Sequence, residues 1–164
     1  MLRHLYLIRH AQTLEKTVGQ TDLQRELTFK GKNDATELGK YLYGKKIKLD
    51  IILSSPAMRT QTTARLLAES LSLSDEKIIT HSKLYNAHSE DMLNITKGIE
   101  NEFQHVALIG HNPAISAFAS SLTKKSIDGF SPCTLAVFQF AAQNWSEMAS
   151  QSGNLLFIKQ PSIF

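Results

Sequence analysis

Three short segments of the 164-residue chain carry side chains suited to chemistry on an anion: Arg9-His10-Ala11-Gln12-Thr13, Ser54-Ser55-Pro56-Ala57-Met58-Arg59-Thr60 and Gly110-His111-Asn112-Pro113. Between them they offer two guanidiniums and two imidazoles. A guanidinium grips two oxygens of a phosphoryl group with its planar fork, which the point charge of a lysine does not do. A neutral imidazole can attack phosphorus in line, giving a phosphohistidine that water then hydrolyses. His10 is the candidate nucleophile, and its other ring nitrogen then needs to donate a fixed hydrogen bond, expected to a backbone carbonyl of the loop that follows. A cationic His111, with Arg9 and Arg59, would hold the charge on the equatorial oxygens.

Such residues act together only if the fold brings them to one place. Leu5 to Ile8, Ile51 to Leu53 and Val106 to Ile109 are short apolar runs of the kind buried on both faces of a parallel sheet, and each ends just before one of the three segments. Ile78-Ile79 reads as a further short strand. Thr134 to Phe140 and Leu155 to Ile158 read as a closing pair joined by a Ser/Gln/Asn-rich connection. Between the strands, Thr28 caps a helix with apolar positions at Ala35, Leu38 and Leu42, stopped at Gly44. Ser55-Pro56 and Asn112-Pro113 each read as a cap followed by proline at the first helical position, opening helices to about Leu71 and Leu122. Glu90 to Phe103 reads as another helix. The order predicts one α/β domain over residues 1–164: three layers, a mainly parallel sheet with an antiparallel edge pair, and helices on both faces. Ligands of such sheets bind beyond the carboxyl ends of the strands, where the three segments lie, and the two helix N-termini would add N–H groups facing an anion.

Composition narrows the function classes. The lone Cys133 makes no internal disulfide and, with Gln139 six positions on, cannot be a cysteine-phosphatase nucleophile; it fits a reducing, cytoplasmic setting. No membrane-length apolar stretch and no cleavable leader are evident, so no membrane partner is expected. The six histidines form no H-x-H or H-x-x-x-H pair, and His81, His88 and His105 read as loop or surface groups. There is no G-x-S-x-G elbow and no Gly-rich nucleotide loop. The net charge is +3, and from Thr28 to Lys48 six lysines face only Asp34 and Glu37. A lysine-rich helix without interleaved aromatics is a solvated face or a steering surface, so no nucleic-acid partner is expected. Lys16 and Arg25 flank the first segment and would add positive potential there.

The motifs as an ordered set carry a resemblance: Leu7-Ile8-Arg9-His10-Ala11, then Arg25-Glu26-Leu27-Thr28 with Gly31, Ser54-Ser55-Pro56 with Arg59-Thr60 and Gln61-Thr62, Leu84-Tyr85-Asn86-Ala87, and Gly110-His111-Asn112-Pro113. The chain resembles the histidine phosphatase (phosphoglycerate mutase-like) superfamily, and within it the small bacterial phosphohistidine phosphatases of the SixA type. The resemblance implies that His10 is the phosphorylated histidine, that Arg9 and Arg59 bind phosphate, that His111 is the second pocket histidine, and that no metal or organic cofactor is used. Ala11 stands where the superfamily usually has Gly, a change that SixA-like sequences often share. Asn86 stands near the place where mutase-like members carry a Glu that protonates the leaving oxygen. An alkoxide leaving group gains about 10²–10⁴-fold from such an acid, whereas an imidazole leaves readily without one. Phosphohistidine on a protein, such as a histidine-containing phosphotransfer domain, is therefore the expected substrate, and the short chain suits an uncapped site. Glu90, Asp91 or His88 would have to act as acid if the substrate were a small phosphate ester or nucleotide; a phosphate-binding module without turnover is the third reading.

Overall fold

The computed structural model describes residues 1–161. Six strands, β1 (Leu2–Arg9), β2 (Ile51–Ser54), β3 (Ile78–Thr80), β4 (His105–Gly110), β5 (Leu135–Ala141) and β6 (Asn154–Lys159), form one sheet in the order β3-β2-β4-β1-β5-β6. The first four pair in parallel, while β5 and β6 run antiparallel, β5 against β1 and β6 against β5. This is the predicted architecture.

Alternation along β1 builds two cores. Leu5 and Leu7 point to the face covered by α3 (Ser89–Lys97) and α4 (Ala114–Leu122), where Met92, Ile115, Phe118 and Leu122 meet them. Tyr6 and Ile8 point to the other face, against Ala35, Leu38 and Leu42 of α1 (Phe29–Gly44) and Ala64, Leu67 and Ala68 of α2 (Met58–Ser70). Burial on both faces explains why these strands read as unbroken apolar runs. Each fully buried leucine contributes roughly 1.5–3 kcal/mol.

Thr28 caps α1 as expected, accepting a hydrogen bond from the Gly31 N–H. The other helix limits differ from the sequence reading. α2 starts at Met58, because the Ser55 hydroxyl accepts the Ala57 N–H within a turn and is otherwise committed to His111. α4 starts at Ala114, because Asn112 spends its amide on the Phe130 carbonyl and on Ser116. α3 ends at Lys97, where Gly98 caps it, and Phe103 lies in the following turn, its carbonyl accepting from Arg3 and from the Trp145 indole. Part of the lysine excess is neutralised along α1, by Lys30 on Asp34 at 2.7 Å and Lys40 on Glu37 at 3.0 Å. Among the described residues no helix is long and apolar enough to cross a membrane.

Candidate active site

The register aligns the ends of three strands. Arg9 is opposite Gly110, and Ser54 is opposite Ile109, so β1, β4 and β2 release their following residues side by side. His10, His111 and the Ser55–Arg59 turn thereby share one rim, with the two imidazole centroids 5.4 Å apart.

The state of His10 follows from its neighbours. Its Nδ1 lies 2.8 Å from the Ala11 carbonyl, which can only accept, so Nδ1 carries the proton and Nε2 carries the lone pair. The loop is pinned beneath it: Cys133 N–H donates to the Arg9 and His10 carbonyls, and Ala11 N–H donates to Thr63. Burial, together with the positive charges of Arg59, Arg9 and Arg25, pushes the imidazole down to about 4, so it is neutral at physiological pH.

The charge of His111 also follows from its surroundings. Burial, with Arg59 and His10 beside it, pushes its pKa down to about 3, so in the free site it is a neutral imidazole, not a cation. Its Nε2 is 2.7 Å from the Ser55 hydroxyl. That hydroxyl accepts the Ala57 N–H and can give its own proton to Nε2, which leaves a proton on Nδ1. His111 Nδ1 is buried without a partner among the described residues, as is Arg9 Nε. Both are left unpaired beside the site. An incoming dianion would also raise the His111 pKa towards the charged form.

Arg9 is held by the Phe130 carbonyl at 2.9 Å, and Phe130 is in turn fixed by Asn112 and Ser116. Arg59, nearly buried, donates to the Asp22 carbonyl from Nη1 at 2.8 Å and to Asp22 Oδ2 from Nη2 at 3.0 Å. Tyr85 donates to the same Oδ2 at 2.5 Å, and its ring stands edge-on to His111 with centroids 5.7 Å apart. The sequence carries no signal for Asp22, and Tyr85 stands out there only as part of Leu84-Tyr85-Asn86-Ala87; the two lie in separate loops without a motif spacing between them. Asp22 is held down to about 2, first by the Tyr85 hydroxyl, with burial opposing and Arg59 and Arg25 adding to the lowering.

The groups flanking the site divide clearly. Arg25 lies 3.6 Å from Asp22 and bonds Thr13 and Leu14, stapling the loop while its charge reaches His10. Lys16 is exposed on that loop. A groove of about 490 Å³ beside His111 is lined by Tyr85, Asn86, His88, Ser89, Asn112 and Pro113 among others, and among the described residues no carboxylate lines it. Asp91 is committed to capping α3, accepting the His88 N–H at 2.7 Å, and Glu90 is exposed in the first turn of that helix.

The model of the histidine phosphatase superfamily (branch 1) matches residues 5–99. The chain belongs to that superfamily. Among curated relatives in it, the serine/threonine-protein phosphatase Pgam5 of Drosophila mojavensis is 35% identical over 82 residues, which are 50% of this chain and 28% of the relative. The chain thus spans little more than a quarter of the relative it matches. Similar solved structures cover almost the whole chain. SixA from Nakamurella multipartitia superposes with a TM-score of 0.85 at 24% identity, covering 99% of this chain and 98% of the other. SixA from Agrobacterium tumefaciens gives 0.82 at 26% identity, covering 97% and 99%. The protein histidine phosphatase SixA complexed with tungstate gives 0.82 at 19% identity, covering 96% and 97%.

Proposed function

We propose that this histidine phosphatase superfamily member removes phosphoryl groups from protein phosphohistidine, with His10 as nucleophile. In this reading Nε2 of His10 attacks phosphorus, and the bond to the substrate imidazole nitrogen breaks. Arg9, Arg59 and His111 hold the three equatorial oxygens meanwhile. The departing imidazole keeps the electron pair and takes a proton from solvent. Water then attacks the phosphohistidine, releasing phosphate and restoring neutral His10. No carboxylic acid is needed, because imidazole is a good leaving group.

The single observation carrying the reading is the His10 geometry: a proton fixed on Nδ1 by the Ala11 carbonyl, and a neutral Nε2 beside two arginines. The substrate class is supported by the groove beside His111, where Asn86 and His88 stand and no carboxylate lines the groove among the described residues. The SixA-like fold adds to it. The panel that tests it compares kcat/KM on a phosphorylated histidine phosphotransfer domain, a phosphoserine protein and small phosphate esters. Preference for the phosphohistidine protein is expected; preference for the esters would defeat the substrate assignment. A second reading, phosphoserine or phosphothreonine on a protein, is favoured by the serine/threonine-protein phosphatase relatives, and the same panel decides it.

A further inference from the structure

The site contains a carboxylate that an anion-binding pocket has no evident use for. Asp22 lies against Arg59, where a second negative charge opposes a phosphoryl dianion. We propose that Asp22 is a positioning residue: it holds the guanidinium of Arg59 by its end-on edge, so that the side-on edge is presented to the phosphoryl group. This rests on the reading of Arg59 as a phosphoryl ligand.

The donor pattern is the first support. Nη1 bonds the Asp22 backbone oxygen at 2.8 Å and Nη2 bonds Asp22 Oδ2 at 3.0 Å, so one residue occupies the fork formed by the two terminal nitrogens. The adjacent edge, Nε–H with the second proton of Nη2, is bonded by none of the described residues and has the fork geometry that matches two phosphoryl oxygens. The second support is how Asp22 itself is fixed. Tyr85 donates to Oδ2 at 2.5 Å, and Arg25 lies 3.6 Å from Oδ1 while bonding Thr13 and Leu14 of the same loop. Through the Tyr85 ring, edge-on to His111, the loop after β1, the start of α2 and the loop after β3 lock into one unit. Three donors compensate the charge of Asp22, so what remains is orientation. A carboxyl held in its ionised form by those donors is also unsuited to giving a proton to a leaving group at neutral pH.

Two alternatives predict different results. A gating carboxylate would compete with the phosphoryl group for Arg59, and its removal would tighten oxyanion binding. A merely structural Asp22 would change stability without a specific link to Arg59. The test measures tungstate affinity by calorimetry for Asp22→Ala, Asp22→Asn, Tyr85→Phe and Arg59→Ala, alone and with Asp22→Ala combined with Arg59→Ala; its readout is binding, so it stands apart from any turnover of phosphohistidine. Positioning predicts about fivefold to tenfold weaker tungstate binding in Asp22→Ala even though a negative charge has gone, a smaller loss in Tyr85→Phe, and partial rescue in Asp22→Asn. It also predicts that removing Asp22 has no further effect once Arg59 is alanine. Should Asp22→Ala fail to fold, Asp22→Asn carries the test with about threefold weaker binding expected. Unchanged or tighter tungstate binding, or an equal loss in the Arg59→Ala background, would overturn the proposal.

Discussion

Lowering the pH from 7 to 5 should weaken the fold through the very imidazole assigned as nucleophile. The folded-state pKa of His10, about 4, lies below its ordinary value of 6.5, because burial and three arginines oppose its charge. The unfolded chain therefore takes up the proton first. Stability from this group is complete above about pH 6.5 and is lost as the pH falls towards about 4. At pH 5 the difference in proton binding amounts to about 2 kcal/mol, against about 0.2 kcal/mol at pH 7. His111, His4 and His105 shift in the same direction, so the absolute loss will be larger and the group must be isolated by comparison. Urea unfolding of the wild type and His10→Gln at both pH values, followed by far-UV circular dichroism, supplies that comparison. The wild type should lose about 2 kcal/mol more than the variant. Equal losses would mean that His10 titrates normally in the folded protein, and the argument for a resident neutral nucleophile at mildly acidic pH would fail. A proton-resonance titration of His10 should correspondingly show its midpoint near 4.

Other perturbations probe the parts that hold the site. A Cβ on Gly31 would collide with the Gln12 carbonyl oxygen, two residues beyond His10, so Gly31→Ala must push α1 off the loop that follows His10. The expected cost is about 1–3 kcal/mol, read as a Tm lowered by roughly 3–10 °C, together with reduced turnover; an unchanged Tm would contradict the close packing. Ser55→Ala leaves His111 Nε2 without its partner at 2.7 Å and should lower kcat/KM about tenfold, measured on whichever substrate of the panel is preferred. Burial pushes the Cys133 thiol up to about 12, so native protein should resist iodoacetamide at pH 8 and react once unfolded in urea, as scored by intact mass.

The sequence exposed the candidate rim better than its supports. Arg9, His10, Arg59 and His111 follow strand ends or open a helix, and periodicity alone locates such positions. The parallel core was equally legible, since β1 and β4 are buried on both faces and read as unbroken apolar runs. What misled was side-chain hydrogen bonding that crosses the fold. Ser55 and Asn112 look like helix caps, yet the hydroxyl of Ser55 serves His111 and the amide of Asn112 serves Phe130, so both helices start later. The pairing of Asp22 with Tyr85 is hidden for the same reason: they are joined across two loops by one hydrogen bond, which no local pattern encodes. The charge of His111 is not legible in a sequence, which shows residue types but not the burial and neighbouring guanidiniums that keep this ring neutral.

The central claim is that His10 Nε2 receives the phosphoryl group. Its most direct test mixes the protein with a phosphotransfer domain carrying radiolabelled phosphohistidine, quenches in alkali on the millisecond scale and maps the label by peptide mass. The account predicts transient, acid-labile label on His10, with label and turnover both absent from His10→Ala. Turnover persisting in His10→Ala, or label on another residue, would contradict it.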